Sequence, residues 1–221
     1  MDLLVIILSI PKTVYVNFRY LPFRQACKLP IWTRYNTKIE IKGKILVPDD
    51  CSLATIRIGF HKVPICDNAP TVISADKGGI IKFLGTAHIG YGSKIAVHGG
   101  GELILGDNFA ISAATQISCY RRIRFGCDIQ FSWDCLVMDS DSHKIYDEQD
   151  VLMNPSREIV FGNKIWIGCR STVLKGAVIP DNCVVGSCSL VTGGGSKGFV
   201  ANSIIAGNPA RSIKKINKWE L

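Results

Sequence analysis

The chain has 221 residues, 47% of them hydrophobic, and 26 Lys and Arg against 18 Asp and Glu, a formal charge of +8. That length and apolar content support a buried core and exclude a disordered chain. Nine cysteines, an odd number without a CxxC pair, exclude a small disulfide scaffold and metal-type spacing. They read as small apolar side chains in a reducing cytoplasm. The cations are scattered, apart from Arg121-Arg122-Ile123-Arg124 and Lys214-Lys215. Nucleic acid is therefore not an expected partner.

Leu3–Ile10 is the longest apolar run near the start, short of the roughly 18 residues of a membrane span. No Lys or Arg precedes it and no small-x-small site follows, so it does not read as a signal peptide. It reads as a buried terminal element. The alternative is an anchor on the inner membrane surface, helped by Lys12, Arg19, Arg24 and Lys28. Residues 1–36 hold Pro11, Pro22 and Pro30 and lack the repeat seen further along, so they are assigned to a capping segment.

From about residue 37 the chain is organised by a period of six. Phe161, Ile167, Val173, Ile179, Val185 and Val191 are all large and apolar, and Ser171, Ala177, Cys183 and Ser189 are small. The pattern also runs through Ile89 and Ile95, through Leu105, Ile111, Ile117 and Ile123, and through Phe125, Phe131 and Val137. Its phase slips by four between Ile95 and Leu105 and by two between Ile123 and Phe125, which reads as loops or bulges. A helix repeats every three to four residues and a strand every two. Period six fits short strands and turns wrapped into a prism, with the rungs stacked to bury one another.

Stepping on from Val137 gives His143, Gln149 and Pro155, which are not core residues. The stretch at about 138–158 is polar and is expected to leave the prism as a loop. Asn208 and Pro209 read as N-cap and first residue of a short C-terminal helix, with Ile213, Ile216 and Trp219 on one side. The expected organisation is a cap at 1–36, a coil at 37–207 and a helical tail at 208–221.

The run GNKIWIGCRSTVLKGAVIPDNCVVGSCSLVT, followed by IIAGNPARSIKKI, resembles the hexapeptide-repeat acyltransferases. SWDCLVMDSDSH, ending at His143, is similar to the catalytic stretch of their polysaccharide and sugar O-acetyltransferase branch. The resemblance implies a mainly β fold, a left-handed parallel β-helix, with the non-repeat start, protruding loop and C-terminal helix added to it. It also implies a homotrimer with sites between neighbouring subunits, and acetyl-CoA as acetyl donor to a sugar or polysaccharide acceptor. No metal is expected.

His143 is the general base by this match, since imidazole titrates near working pH and accepts a proton from an attacking hydroxyl. Without the resemblance, a lone His in a polar loop is more often merely solvated. Asp141 or Asp139, or equally a backbone carbonyl, is expected to orient its ring, and Asp139 is also counted among the acceptor contacts. By the match, the oxyanion donor is expected from one of the amides of Trp166-Ile167-Gly168-Cys169. By the match, Gly168, Cys169, Ser187 and Thr192 line the pantetheine arm, although packing at coil corners explains small residues equally well. Arg211 and Lys214, placed on one helical face, are expected on the CoA phosphates. Trp133 and Trp166 are expected against the sugar, with plain packing as the alternative.

Three other readings stand beside O-acetylation. They are N-acetylation of an amino-sugar nucleotide, acetylation of a xenobiotic, and a non-catalytic β-helix scaffold. A zinc enzyme on the same scaffold needs three His ligands, and only His61, His88, His98 and His143 exist, with His88 and His98 ten apart at unlike phases of the repeat. A cytoplasmic site of action, with contact at the inner membrane face, is the expected location.

Overall fold

Phe161, Ile167, Val173, Ile179, Val185 and Val191 all point to one axis and are at most 2% exposed. The computed structural model describes residues 3–66 and 69–220; residues 1, 2 and 221 of the two terminal segments lie outside them. Successive strands turn onto successive faces, and each pairs in parallel with strands one coil away. Ile165–Ile167 lies between Ile129–Trp133 and Val184–Val185. Thr172–Leu174 lies between Leu136–Met138 and Leu190–Val191. Val178–Ile179 pairs with Ile159–Phe161. Three faces of nine, seven and six strands result, taken below as first, second and third. They form a left-handed parallel β-helix.

The coils narrow along the axis. Partners on the second face lie 22 residues apart at Ile95 and Ile117, 20 at Ile117 and Val137, and 18 at Val173 and Val191. Wider coils use longer strands with two inward residues, such as Ile123 and Phe125 in Arg122–Phe125. The slip of two expected as a loop or bulge therefore falls inside one continuous strand. The slip of four is shared between Lys94–Val97, Glu102–Leu105 and the turn between them, where Gly100 adopts φ +83°. Phe109, Phe125, Phe131 and Phe161 fill the middle of the axis, and Phe125 stacks on Phe161 at 4.4 Å.

The same packing sets thiol chemistry. Burial pushes the Cys135 thiol up to about 11. Burial, followed by the charge of Asp139, raises Cys119 further. Thiolate is the reactive species. Iodoacetamide at pH 8 should therefore leave Cys119 and Cys135 unmodified in the native protein and label the exposed Cys27 and Cys127, as read by peptide mass spectrometry. Labelling of Cys119 at the rate of Cys27 would contradict this packing.

A β-helix leaves open strand edges at its ends, and these must be covered. The chain begins with a helix at Leu3–Tyr20 that lies along the edge strand Ile31–Thr33. Asn17 both donates to and accepts from the backbone of Ile31 (2.7 and 3.1 Å), Thr13 does the same at Thr33 (3.2 and 3.1 Å), and Ser9 accepts from the amide of Tyr35 at 3.1 Å. Four helical residues advance about 6 Å and two strand residues about 6.6 Å. A polar side chain at every fourth helical position therefore meets alternate residues of an antiparallel strand. Tyr20 and Gln25 reach the carbonyls of Ile39 and Val47 on the other two faces.

The Leu3–Ile10 run is thus not a buried element. Its polar side is buried, and Leu3, Leu4, Ile7, Leu8 and Ile10 are exposed. The coil also starts earlier than residue 37, because Ile31–Thr33 already pairs with Ile56–Ile58.

At the far end no helix forms among the described residues of 208–221. Ala210–Lys215 is a strand, antiparallel to Ser203–Gly207. Asn208 and Pro209 make the turn of this hairpin instead of capping a helix. Ser203–Gly207 is an edge of the first face, and its open backbone groups recruit the next stretch of chain. Trp219 folds back to donate to the carbonyl of Lys164 at 3.0 Å and packs against Trp166.

Candidate active site

Residues 139–158 leave the coil at the corner joining the second and third faces, between Leu136–Met138 and Ile159–Phe161. Asp139 anchors the start. It is fully buried and accepts the amides of Tyr120, Arg121 and Arg122 at 2.7, 2.8 and 2.7 Å. Its carbonyl accepts the amide of Arg157 at 3.1 Å, which ties the end of the loop to its start. The assignment of Asp139 to the acceptor is therefore corrected: both of its oxygens are committed to backbone and none faces solvent.

Asp141 faces Lys175 and Asn154, not the His143 ring. It pairs with the Lys175 ammonium and accepts from Asn154 Nδ2 at 2.8 Å. These bonds, Lys175 first, hold its carboxyl below the usual carboxylate range. Asn154 is the hub of the loop. It also donates to the carbonyl of His143 at 2.9 Å and accepts the amide of Ile145 at 2.7 Å, while its own carbonyl accepts from Lys175 at 3.0 Å. Asn154 thus ties the loop at the His143 carbonyl and at Ile145 while Lys175 ties Asn154 to the next coil, and the exposed His143 ring meets no hydrogen-bonding partner among the described residues. The expectation that Asp139 or Asp141 orients the ring is not met. Sequence reading missed Asn154 and Lys175. Asn154 comes back from the far arm of the loop and Lys175 from the next coil, so no spacing links either to His143.

The column above His143 on the same corner is aromatic. His98 stacks on Tyr120 with ring centroids 3.8 Å apart, and the Ser142 hydroxyl donates to Tyr120 Oη at 3.1 Å. His98 itself lies 3.3 Å from Ser118 Oγ and 3.5 Å from an Asp76 carboxyl oxygen.

The remaining predicted residues gather elsewhere. Gly168 and Cys169 sit at the corner joining the first and second faces, with Trp133 one coil above and Ser187 one coil below. The Cys169 amide carbonyl accepts from Cys188, and Cys169 Sγ lies 3.5 Å from Ser187 Oγ. A Cβ at Gly168 would meet the Ser187 nitrogen at 2.6 Å, so only glycine allows this closeness. Trp133 lines a cleft here with Gln116 and Arg170. Thr192 stands apart, on the His143 side, where its hydroxyl accepts the amide of Gly195 at 3.1 Å. Trp166 lies on the flat of the first face, donates to Ser132 Oγ at 3.1 Å and is partly covered by Trp219. The amides of Trp166 and Gly168 already donate to the carbonyls of Cys183 and Val185, so neither serves an oxyanion.

Arg211 and Lys214 do share one face, though not through a helix. Arg211 pairs with Ala206 and Lys214 with Ile204, both on the outer side, because the register shifts between Ile204 and Ile205. Three residues along a regular strand would point opposite ways, and the bulge restores the common side. Arg211 lies at the foot of the Cys169–Ser187 column.

No protein-family model matches the chain. It is 28% identical over 145 residues to the "Putative lipopolysaccharide biosynthesis O-acetyl transferase WbbJ" of Escherichia coli, covering 59% of this chain and 71% of that protein. It is 31% identical over 140 residues to the "Probable acetyltransferase Rv3034c" of Mycobacterium tuberculosis, covering 60% of this chain but 44% of that protein. Among solved structures, the polySia-specific acetyltransferase NeuO superposes with a TM-score of 0.66 at 20% identity, covering 86% of this chain and 74% of NeuO. That likeness is one of fold.

Proposed function

We propose that this chain is an acyltransferase of the hexapeptide-repeat kind and that it moves acetyl from acetyl-CoA to a hydroxyl of a sugar or surface-polysaccharide precursor, a reading supported by its likeness to the O-acetyltransferase relatives. The observation that carries the reading is the exposed His143 imidazole, on a loop whose backbone Asn154 holds at the His143 carbonyl and which Lys175 and Asp139 anchor elsewhere. The ring takes the proton of the acceptor hydroxyl as its oxygen attacks the thioester carbonyl. Collapse of the tetrahedral intermediate expels the CoA thiolate, which takes the proton back from the imidazolium. No acyl-enzyme is formed. Loops on a rigid scaffold suit such a role.

The chain fits a thioester carrier in chemical terms. The Gly168–Cys169–Ser187 corner offers small groups and close backbone, and Arg211 and Lys214 offer cations for phosphates. These groups and His143 sit at different corners of one prism, with the second face between them. A second copy that brings its own corner beside His143 completes the site, which supports the homotrimer. No disulfide forms among the described residues, and the proposed place of work is the cytoplasm, at the inner face of the membrane.

The test is incubation with acetyl-CoA and a panel of sugars, nucleotide sugars and polysaccharide fragments, with products read by mass spectrometry. O-acetylated sugar supports the reading. Product only on an amino group, or none from any acceptor, overturns it.

Asn154 and Lys175 act as positioning residues. The Asp141 carboxyl is held low, so its pair with Lys175 is complete above the ordinary carboxylate value and is lost only as pH falls below it. The pair is therefore intact wherever imidazole works as a base. Lys175→Met should lower kcat by about 10–100-fold, leave KM for acetyl-CoA unchanged and barely move Tm. A rise in KM with constant kcat would assign Lys175 to binding instead.

A further inference from the structure

The N-terminal helix is polar on the side it buries and apolar on the side it shows. Ser9, Thr13 and Asn17 are fully buried, whereas Leu4, Ile7, Leu8, Val14, Tyr15 and Phe18 are 39–60% exposed. A helix on the surface of a water-soluble domain has the reverse pattern. The buried polar stripe is accounted for by the strand edge it satisfies. Ile7, Leu8, Val14 and Tyr15 do not pack on the core, and Phe18 meets the edge of the neighbouring Phe23 ring at 6.0 Å.

Charge indicates what covers it. Residues 3–39 contain six Lys and Arg and no Asp or Glu. Lys28 is turned to the Asp49 carbonyl, which leaves Lys12, Arg19 and Arg24 along and beside the helix. Orientation narrows the choice further. The helix is long and apolar enough to cross a bilayer. Standing upright in one, however, would strip Thr13 and Asn17 from the Ile31–Thr33 backbone and leave buried polar groups unpaired. Lying flat keeps every one of those bonds.

We infer that this end of the β-helix docks on an anionic lipid bilayer, with the Leu3–Tyr20 helix in the plane of the interface and its apolar side among the acyl chains. The prism axis then stands along the membrane normal, since the strands, and the helix beside them, run across that axis. The inference does not depend on the acetyl-transfer chemistry.

Flotation of the full chain with vesicles tests it. The protein should float with phosphatidylcholine vesicles containing phosphatidylglycerol, much less with phosphatidylcholine alone, and should be released by alkaline carbonate. Arg19→Ser with Arg24→Ser should weaken partitioning about fivefold per cation removed. Leu8→Glu with Phe18→Glu should abolish flotation, with Tm unchanged and transfer to a soluble acceptor intact. Three results would overturn the proposal. The first is no flotation on either vesicle. The second is resistance to carbonate, which means a spanning helix. The third is a larger assembly in solution that Leu8→Glu dissociates, which means a second copy covers the face.

Discussion

Replacing His143 by alanine should slow acetyl transfer by about 10²–10⁴-fold, equivalent to about 2.7–5.5 kcal/mol of transition-state stabilisation. The fold should not notice, because the ring is exposed and its hydrogen-bonded atom is the backbone carbonyl. A surface change of this kind alters stability by about 0.5 kcal/mol or less. The loss should fall on kcat, with KM for acetyl-CoA nearly constant, and the acid limb of the native pH–rate profile should vanish in the variant. Equal turnover by the native chain and His143→Ala would remove the imidazole from the mechanism. A parallel fall in Tm would show that the residue supports the loop and not the chemistry.

Asp139→Ala should cost stability on a scale no other single change in the loop approaches. Three backbone amides converge on this carboxylate inside the protein, at 2.7–2.8 Å. Bonds to a charged acceptor contribute about 1.5–3 kcal/mol each, and buried donors left without a partner carry a desolvation cost. Some of these amides regain water once the side chain is gone, so the net loss should be about 3–5 kcal/mol, a drop in Tm of roughly 8–15 °C for a chain of this size. Asp139→Asn should fall between. One amide oxygen can still accept, but the NH₂ group then opposes a backbone donor, because Tyr120 meets one carboxyl oxygen and Arg121 and Arg122 share the other. Chemical denaturation of both variants measures the series. A loss below about 1 kcal/mol for alanine would mean that the amides are satisfied by other means.

The coil was legible because its signal repeats: six inward positions from Phe161 to Val191 report the same environment, and one rung confirms the next. The ends were not legible, because their environment is set by single long-range contacts. Asn208-Pro209 followed by Ile213, Ile216 and Trp219 has helical spacing, yet the backbone of Ser203–Gly207 is an unpaired edge, and pairing with it outweighs local preference. At the start, Leu3–Ile10 drew the eye, while Ser9, Thr13 and Asn17, four apart, held the information about which side is buried. The site divides in the same way. His143 stood out because it breaks the repeat. Asp139 was misplaced because an acidic residue beside a candidate base looks functional, and only the fold reveals the three amides of the coil above. Asn154 and Lys175 had no local signature at all.

The circumferences of 22, 20 and 18 residues differ only by even numbers. Inward and outward side chains alternate along every strand, so one residue more or less would turn the rest of that face inside out. Two more only lengthen a side and add one further plug to the lumen. Length variation is therefore quantised in pairs where the chain stays in the wall, whereas the coils from Ile31 to Ile56 and from Ile58 to Ile89, which carry loops at their corners, take the odd lengths of 25 and 31 residues. Such corners, the one at 139–158 among them, escape the restriction, because a segment that has already left the wall can grow by any amount without disturbing the parity of the strands beyond it.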